Sequence, residues 1–189
     1  KFMIKSRPPA TLPTLADWVQ NAQPSMLHGL ARMFDTPDLI SFGGGIPDPA
    51  LHPDQALAEA ADYVTRHKTA ALQYGRDNLR LKEQIVEIMK LRGVDCTPAQ
   101  INITVGSQHA VHILASLLCN PGDEVMIESI IYTGIWQNVG PLQPNVCKIP
   151  ANAKGSVDLD VMEQKLRDGA RPRFFYAIPD GHNPLAYSL

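Results

Sequence analysis

From residue 101 onward the chain alternates between strand-like and helix-like segments, and this alternation restricts its fold more than any other feature. The strand-like segments are rich in β-branched and other apolar residues, and amphipathic helix-like patterns separate them. Strands are predicted at residues 101–105, 124–128, 146–150 and 173–178, with helices predicted from His109, Tyr132 and Leu159. Because this pattern is typical of βαβ units, we predict an α/β fold, a mostly parallel sheet with helices on both faces.

The first hundred residues have a different pattern. Residues 1–50 are rich in proline and glycine and are predicted to form an N-terminal arm followed by a tight loop, "SFGGGIPDP". Residues 51–189 are predicted to form the first half of a larger domain. Helices are predicted at residues 24–34, 53–67 and 78–92, the last ended by Gly93, and "TPAQ" at 97–100 predicts a capped helical turn.

Composition and charge exclude some classes of function. The net charge is −2 and no basic run could neutralise a row of phosphates, so we expect no nucleic-acid partner. No apolar segment approaches the ~20 residues needed to span a bilayer, so we expect no membrane partner. The three cysteines are odd in number and widely spaced, which favours a reducing compartment and predicts a cytoplasmic protein.

A pair of histidines raises the question of a metal site. His109 and His112 lie one helical turn apart, but no third ligand has a recognisable spacing. We therefore interpret both as ordinary helix residues and predict no metal site.

Three loops follow predicted strands, where ligands of open parallel sheets bind. The turn Gly106, Ser107 and Gln108 opens a helix, so its N–H groups and the serine hydroxyl suit a phosphate; a serine cap without a ligand is an equally good interpretation. Tyr132 and Asn183, taken singly, are more typical of a packed aromatic and a turn residue. Together on one sheet edge, these groups suit a planar phosphorylated ring.

Five segments in order carry a family resemblance. They are "LISFGGGIPDPALHP", "ALQYG", "ITVGSQHAVHIL", "GDEVMIESIIYTG" and "FFYAIPDGHNP". Their order and spacing resemble the N-terminal half of class I/II pyridoxal-phosphate aminotransferases of fold type I, especially those acting on 2-aminoadipate, kynurenine and aromatic amino acids. The resemblance implies the first half of the large domain of that fold, pyridoxal 5'-phosphate as cofactor, a homodimer, and amino-group transfer between an α-amino acid and a 2-oxo acid.

The resemblance also implies roles for particular residues. The phosphate would be held at Gly106, Ser107 and Gln108, while Tyr132 would stack on the pyridine ring and Asn183 would bond to its 3-oxygen. Tyr74 would reach the phosphate of the partner subunit. Gly44 and Gly45 would let the backbone approach the substrate carboxylate.

The chain departs from the family pattern in two places. It has "NPLA" where the family often has Asn-Pro-Thr-Gly, and His28 where close members often have an arginine. The turn after Asn183 and the side-chain specificity are therefore open.

The groups that perform the chemistry in this family come later than Asn183. They are the lysine that binds the cofactor covalently, the carboxylate that protonates the pyridine nitrogen, and an arginine for the substrate carboxylate. We therefore expect no catalytic residue within this chain, a C-terminal half of the domain outside it, and no activity from the chain alone. In the family sheet the second, third and fourth strands lie side by side, while later strands separate the first from them.

Other interpretations stay open. The same segments would fit another fold-type-I enzyme, such as a decarboxylase or lyase, or the aminotransferase-like sensor domain of a transcription regulator. A catalytically inactive remnant that serves as a binding surface would fit as well.

Overall fold

The computed structural model describes residues 14–20, 36–40, 45, 47–75 and 78–189 of the chain. The chain divides into two compact units, which are described separately. One comprises Lys1–Arg32 and Gly106–Leu189, and the other comprises Met33–Val105. The helix predicted at residues 24–34 and the residues Gly44 and His28 lie outside the described part.

Seven α-helices occur in the described part of the chain. In chain order they are α1 (Asp17–Gln20), α2 (Asp54–Arg66), α3 (Lys68–Leu72), α4 (Leu79–Leu91), α5 (Gly106–Leu118), α6 (Gly134–Val139) and α7 (Leu159–Arg167). Short 3₁₀ turns occur at Pro49–Leu51, Pro98–Gln100 and Gly140–Leu142. None of the helices in the described ranges is long and apolar enough to cross a membrane.

Two helices of the second unit, α2 and α4, begin and end within one residue of the predicted bounds, whereas the short helix α3 is not predicted. Asn78 caps α4, with its Oδ1 accepting a hydrogen bond from the Leu81 N–H at 3.1 Å. Gly93 follows the helix with a φ of +76°, the left-handed conformation that ends many helices and that glycine adopts without strain. In the predicted turn at 97–100, the Thr97 N–H donates to Gln100 Oε1 at 2.9 Å. The predicted helices at 53–67 and 78–92 and this turn are therefore confirmed.

Three parallel strands form the sheet of the first unit. They are β1 (Glu124–Glu128), β2 (Asn145–Ile149) and β3 (Phe175–Tyr176), in the order β2-β1-β3. In the register, Ile127 is opposite Lys148 of β2 and Tyr176 of β3. The second, third and fourth predicted strands therefore lie side by side, in agreement with the order that the resemblance implies.

The predicted strand at residues 101–105 is wrong for this structure. Ile101 has extended backbone angles, φ −105° and ψ 126°, but residues 101–105 belong to no sheet in the described part of the chain. A strand is defined by pairing with a neighbour, and an extended apolar segment without one stays irregular. Val105 is accordingly 86% exposed despite its apolar side chain.

β3 is also shorter than the predicted strand at 173–178. Arg173 N–H still donates to the Glu124 carbonyl at 2.8 Å, but at the other end the Ile178 N–H bonds to the side chain of Glu128 at 3.1 Å instead of to main chain. The ladder ends because a carboxyl group replaces the next main-chain acceptor.

The core lies on both faces of β1, whose side chains alternate between them. On one face Val125 and Ile127 pack with residues from α5, α6 and the adjoining loops: Ala115, Cys119, Ile131, Ile135 and Val139. On the other face Met126 packs with Ile149 and Val157, and Met162 of α7 lies against them. The predicted α/β fold with helices on both faces is confirmed. The loops after β1 and β3 leave the sheet at the carboxyl ends of these strands, and they contain Tyr132 and Asn183.

Candidate functional site

The turn before α5 is built on one glycine. Gly106 has a φ of +73°, a left-handed conformation that lets the extended chain of residues 101–105 turn into the helix. Ser107 is exposed and Gln108 is half-buried. The N–H groups in the first turn of a helix have no acceptors within it and lie at the positive end of its dipole. A turn of this kind is typical of anion sites, and anion binding here stays a prediction.

The side chain of Gln108 is held by α6. Asn138 Nδ2 donates a short hydrogen bond to Gln108 Oε1 and a second, at 2.9 Å, to the Gly134 carbonyl. Asn138 is buried, so this amide leaves Gln108 little freedom to rotate. The role of Asn138 is not evident from the sequence; the available signal is a polar residue in a short helix, "GIWQNV", in which Gly134, Ile135 and Val139 are also buried.

Gly134 lets two predicted site residues come together. A Cβ atom on Gly134 would lie 2.3 Å from Tyr132 Cε1 and 3.0 Å from Gln108 Oε1. Since real Cβ atoms do not approach a ring that closely, the Tyr132 ring occupies space that only glycine leaves free. Tyr132 is half-buried against this backbone. Gly134 is a second residue whose role is not evident from the sequence, although "YTG" contains it.

A buried carboxyl group lies at the end of β1. Glu128 is 4% exposed, and its two oxygens accept hydrogen bonds from the loop after β3. Oε2 accepts the Ile178 N–H at 3.1 Å, and Oε1 accepts the hydroxyl of Tyr187 in a short bond. Glu128 therefore joins the loop after β3 to the strand that leads to Tyr132.

His182 completes this cluster. Its ring is 2% exposed and stacks on Tyr187, with centroids 4.5 Å apart and planes 15° from parallel. Nδ1 accepts the Leu185 N–H at 3.2 Å, so the neutral ring carries its proton on Nε2. Nε2 lies 3.2 Å from Glu128 Oε2 but forms no well-directed hydrogen bond with it. Asn183 follows directly, with an exposed side chain and a cis peptide bond to Pro184.

Two phenols near Glu128 keep their protons well above neutral pH. Burial, the hydrogen bond to Glu128 and the nearby carboxylate charge raise the pKa of Tyr187 to about 12, partly offset by a main-chain bond involving Val157. Burial raises the pKa of Tyr176, and the neighbouring Tyr132 and Glu128 add to the shift. Tyr187 is therefore a hydrogen-bond donor to Glu128 throughout the physiological range.

The remaining predicted site residues belong to the second unit. Tyr74 is fully exposed just after α3. Gly45 is exposed with a φ of +58°, so a glycine suits this position. Gly44 lies outside the described residues. The roles predicted for these residues, and for those of the first unit, stay predictions.

Two curated relatives are similar in sequence to most of this chain. No protein-family model matches the chain. The 2-aminoadipate transaminase of Thermus thermophilus is 34% identical over 165 residues, which are 86% of this chain and 40% of the relative. An uncharacterised transcriptional regulator of Escherichia coli with a helix-turn-helix name is 26% identical over 156 residues, which are 81% of this chain and 33% of that protein.

A solved aminotransferase structure also matches most of this chain. The crystal structure of an α-aminoadipate aminotransferase from Thermus thermophilus, in complex with N-(5'-phosphopyridoxyl)-L-leucine, superposes with a TM-score of 0.77 at 32% identity. The match covers 92% of this chain and 42% of that one. The resemblance to fold-type-I aminotransferases is confirmed. The chain spans about two fifths of the length of these aminotransferase relatives.

The contact between Gly134 and Tyr132 in this aminotransferase fold can be tested by adding one methyl group. Gly134→Ala should destabilise the protein by about 1–3 kcal/mol, because the Tyr132 ring must move to admit the Cβ atom. The free energy of unfolding in urea and the near-ultraviolet circular dichroism of the aromatic side chains measure both effects. Gly140→Ala is the matched control, since a Cβ there meets nothing within 4 Å and the backbone is helical. Equal stabilities of the two variants would contradict the packing described.

The Tyr187–Glu128 hydrogen bond should show in the dependence of stability on pH. A tyrosine whose pKa rises from 10.0 to about 12 on folding contributes stability that is complete below pH 10 and is lost as pH approaches 12. The difference in unfolding free energy between the wild type and Tyr187→Phe should therefore be constant from pH ~8 to ~10 and shrink above that. Urea titrations at each pH measure it. Tyr63→Phe, which removes an exposed hydroxyl from α2, is the control. A constant Tyr187→Phe difference up to pH ~11.5 would show that the hydroxyl is not held as described.

Proposed function

We propose that the protein containing this chain is a pyridoxal-phosphate-dependent aminotransferase. It would move an amino group between an α-amino acid of the 2-aminoadipate, kynurenine or aromatic type and a 2-oxo acid. The observation that carries the proposal is the convergence of the Tyr132 ring and the Gln108 amide on Gly134, beside the N-terminus of α5. This arrangement combines a flat aromatic surface with a set of anion donors.

The residues present fit the cofactor. Its phosphate would be held by the N–H groups at Gly106, Ser107 and Gln108 and by the Ser107 hydroxyl, because a dianion is stabilised by the positive end of a helix. Its ring would lie on Tyr132, whose position Gly134 fixes. The amide of Asn183 would donate to the ring 3-oxygen. When bound, pyridoxal phosphate withdraws electrons from the Cα of the amino acid.

The residues of this chain would therefore bind and orient the cofactor. The α5 turn anchors one end of the cofactor, Tyr132 limits its tilt, and Asn183 fixes the edge of the ring. Gly44 and Gly45 would admit the substrate carboxylate close to the main chain. By the family pattern, the proton-transferring lysine follows Asn183 in sequence, so the lysines within the chain have no catalytic role.

Two alternatives use the same cofactor site. A regulator domain would bind pyridoxal phosphate as a sensed ligand, and another fold-type-I enzyme would remove a carboxylate or a β-substituent instead of exchanging the amino group. The aminotransferase is preferred because the relative with that activity is 34% identical, against 26% for the regulator. Measuring turnover with and without a 2-oxo acid distinguishes the aminotransferase, the other fold-type-I enzyme and the regulator domain.

The cofactor proposal is tested by binding. The gene product, including any sequence that flanks these 189 residues, is titrated with pyridoxal phosphate, and binding is followed by absorbance. Tyr132→Ala should weaken binding up to about tenfold through loss of the stacking surface. Tyr63→Ala, at a tyrosine 57% exposed on α2, should leave it unchanged.

Activity is measured with 2-aminoadipate, kynurenine and aromatic amino acids, each with 2-oxoglutarate. Amino-group transfer that depends on the oxo acid supports the proposal. Absence of cofactor binding in the wild type, or equal loss in both tyrosine variants, would overturn the cofactor site. Binding without turnover would favour the sensor.

We further propose that the active form is a homodimer in which Tyr74 reaches the partner's cofactor phosphate. Its full exposure after α3 supports a contact with another molecule. Tyr74→Phe should weaken cofactor retention about tenfold or more, because a hydrogen bond to a charged group is lost, whereas the control Tyr63→Phe should have no effect. Cofactor dissociation is measured by dialysis of the purified dimer. Unchanged retention in a dimer verified by ultracentrifugation would contradict this role.

The cysteines support a cytoplasmic location, which we propose as well. Cys96, Cys119 and Cys147 are all free thiols. Burial raises the pKa of Cys119, with the nearby Asp123 adding to the shift, so this thiol stays protonated and unreactive. Free thiols of this kind are typical of proteins in reducing compartments.

A further inference from the structure

The cluster formed by Glu128, His182 and Tyr187 has no role in the proposed chemistry so far. Glu128 is the last residue of β1 and is buried, yet the contacts of its carboxyl group described above all go to one segment, the loop after β3. These partners are Ile178, His182 and Tyr187. A single side chain therefore bridges two neighbouring strands at the edge where ligands bind.

The segment that Glu128 holds is itself closed by hydrogen bonds. The His182 N–H donates to the Tyr187 carbonyl at 2.8 Å, and the Ala186 N–H donates back to the His182 carbonyl at 2.5 Å. The Leu189 N–H donates to the Pro179 carbonyl at 2.8 Å. These three bonds close residues 179–189 into a loop, so fixing Tyr187 and His182 also restricts the residues between them.

Asn183 lies between His182 and Tyr187 in this loop. The residue before it, His182, is fixed by both of its main-chain groups, by the Leu185 N–H on Nδ1 and by the stack on Tyr187. The Asn183 side chain itself is exposed and has no hydrogen bond within the described residues. Its direction is therefore set by its neighbours, and they are set by Glu128.

Stability alone does not account for a carboxyl group at this position. Burying an ionisable side chain carries a desolvation penalty that hydrogen bonds offset only in part, and an apolar side chain of similar volume is often as stable. An apolar side chain could not accept hydrogen bonds from Ile178 and Tyr187 at the same time. The carboxyl group therefore serves to hold the loop after β3 in one conformation.

We propose that Glu128 is a positioning residue of the cofactor site, holding the loop that carries Asn183 in register with the strand that leads to Tyr132. The inference rests on the proposed function for the role of Asn183, but the tethering itself concerns this chain alone. Glu128 acts through Asn183 and touches neither cofactor nor substrate. Removing its carboxylate should therefore reproduce the effect of removing Asn183.

The test compares Glu128→Gln with Glu124→Gln in the purified protein. Glu124 is the matched control, because it lies on the same strand and its Oε2 also accepts a main-chain N–H, that of Arg171 at 2.8 Å, at the other end of the β1–β3 pair. Hydrogen exchange is measured at single-residue level. Glu128→Gln should speed exchange of the Ile178 and Leu185 amides about tenfold or more and leave the Arg171 amide unchanged, whereas Glu124→Gln should do the reverse.

A spectroscopic readout ties the loop to the cofactor. With pyridoxal phosphate added, Asn183→Ala is expected to shift the absorbance maximum of the bound cofactor, because the bond to the ring 3-oxygen is lost. Glu128→Gln should shift it in the same direction, and Glu124→Gln should leave it at the wild-type position. A variant that only loses global stability would not give this pattern.

Several results would overturn the inference. They are equal exchange rates at Ile178 and Leu185 in Glu128→Gln and wild type, equal acceleration at all amides including Arg171, and an unshifted absorbance in Glu128→Gln when Asn183→Ala is shifted. Tyr187→Phe serves if Glu128→Gln does not fold: it removes one bond to Glu128 and keeps the ring on His182, and the same local exchange pattern is required of it. Wild-type protein that binds no pyridoxal phosphate would refute the proposed function, while the exchange results would still decide the tether.

Discussion

The burial of β1 on both faces and both edges is the constraint on which the first unit depends. Its central residues contact α5 and α6 on one face and the Met162 region on the other, while β2 and β3 complete its hydrogen bonds on either side. A strand with no exposed side can present only its end to a ligand. The sheet therefore offers a ligand only the loops that follow Glu128 and Tyr176, and the turn that opens α5 supplies the other predicted contacts of this unit.

At that edge, glycine and buried polar residues fix the positions of more accessible ones. Gly134 supplies the space for the Tyr132 ring, Asn138 fixes the amide of Gln108, and Glu128 holds the loop that contains Asn183. Each pair couples a residue that could contact a ligand to one that could not. The precision of such a site comes from the second member of each pair, because an exposed side chain alone would sample several rotamers.

The sequence predicts most of this fold because the signals are local. A continuous apolar run, Val125 to Ile127, locates β1, and the caps at Asn78 and Gly93 locate the ends of α4. The strand at 101–105 is predicted wrongly because its composition is strand-like, whereas a strand also needs a neighbour, and composition does not show one. Gly134, Asn138 and the partners of Glu128 are missed for a related reason: their roles depend on residues distant in sequence that only the folded chain brings together.

The bonds of Glu128 also have a consequence for the order of folding. Its partners Ile178 and Tyr187 lie 50 and 59 residues later in the chain. During synthesis, β1 and β2 leave the ribosome while this carboxylate still has only water to solvate it, and an unpaired carboxylate resists burial. The carboxyl end of β1 therefore stays hydrated until the last residues of the 179–189 loop have been made. This part of the ligand-facing edge therefore forms only after β1 and β2, the strands that support it, have been made.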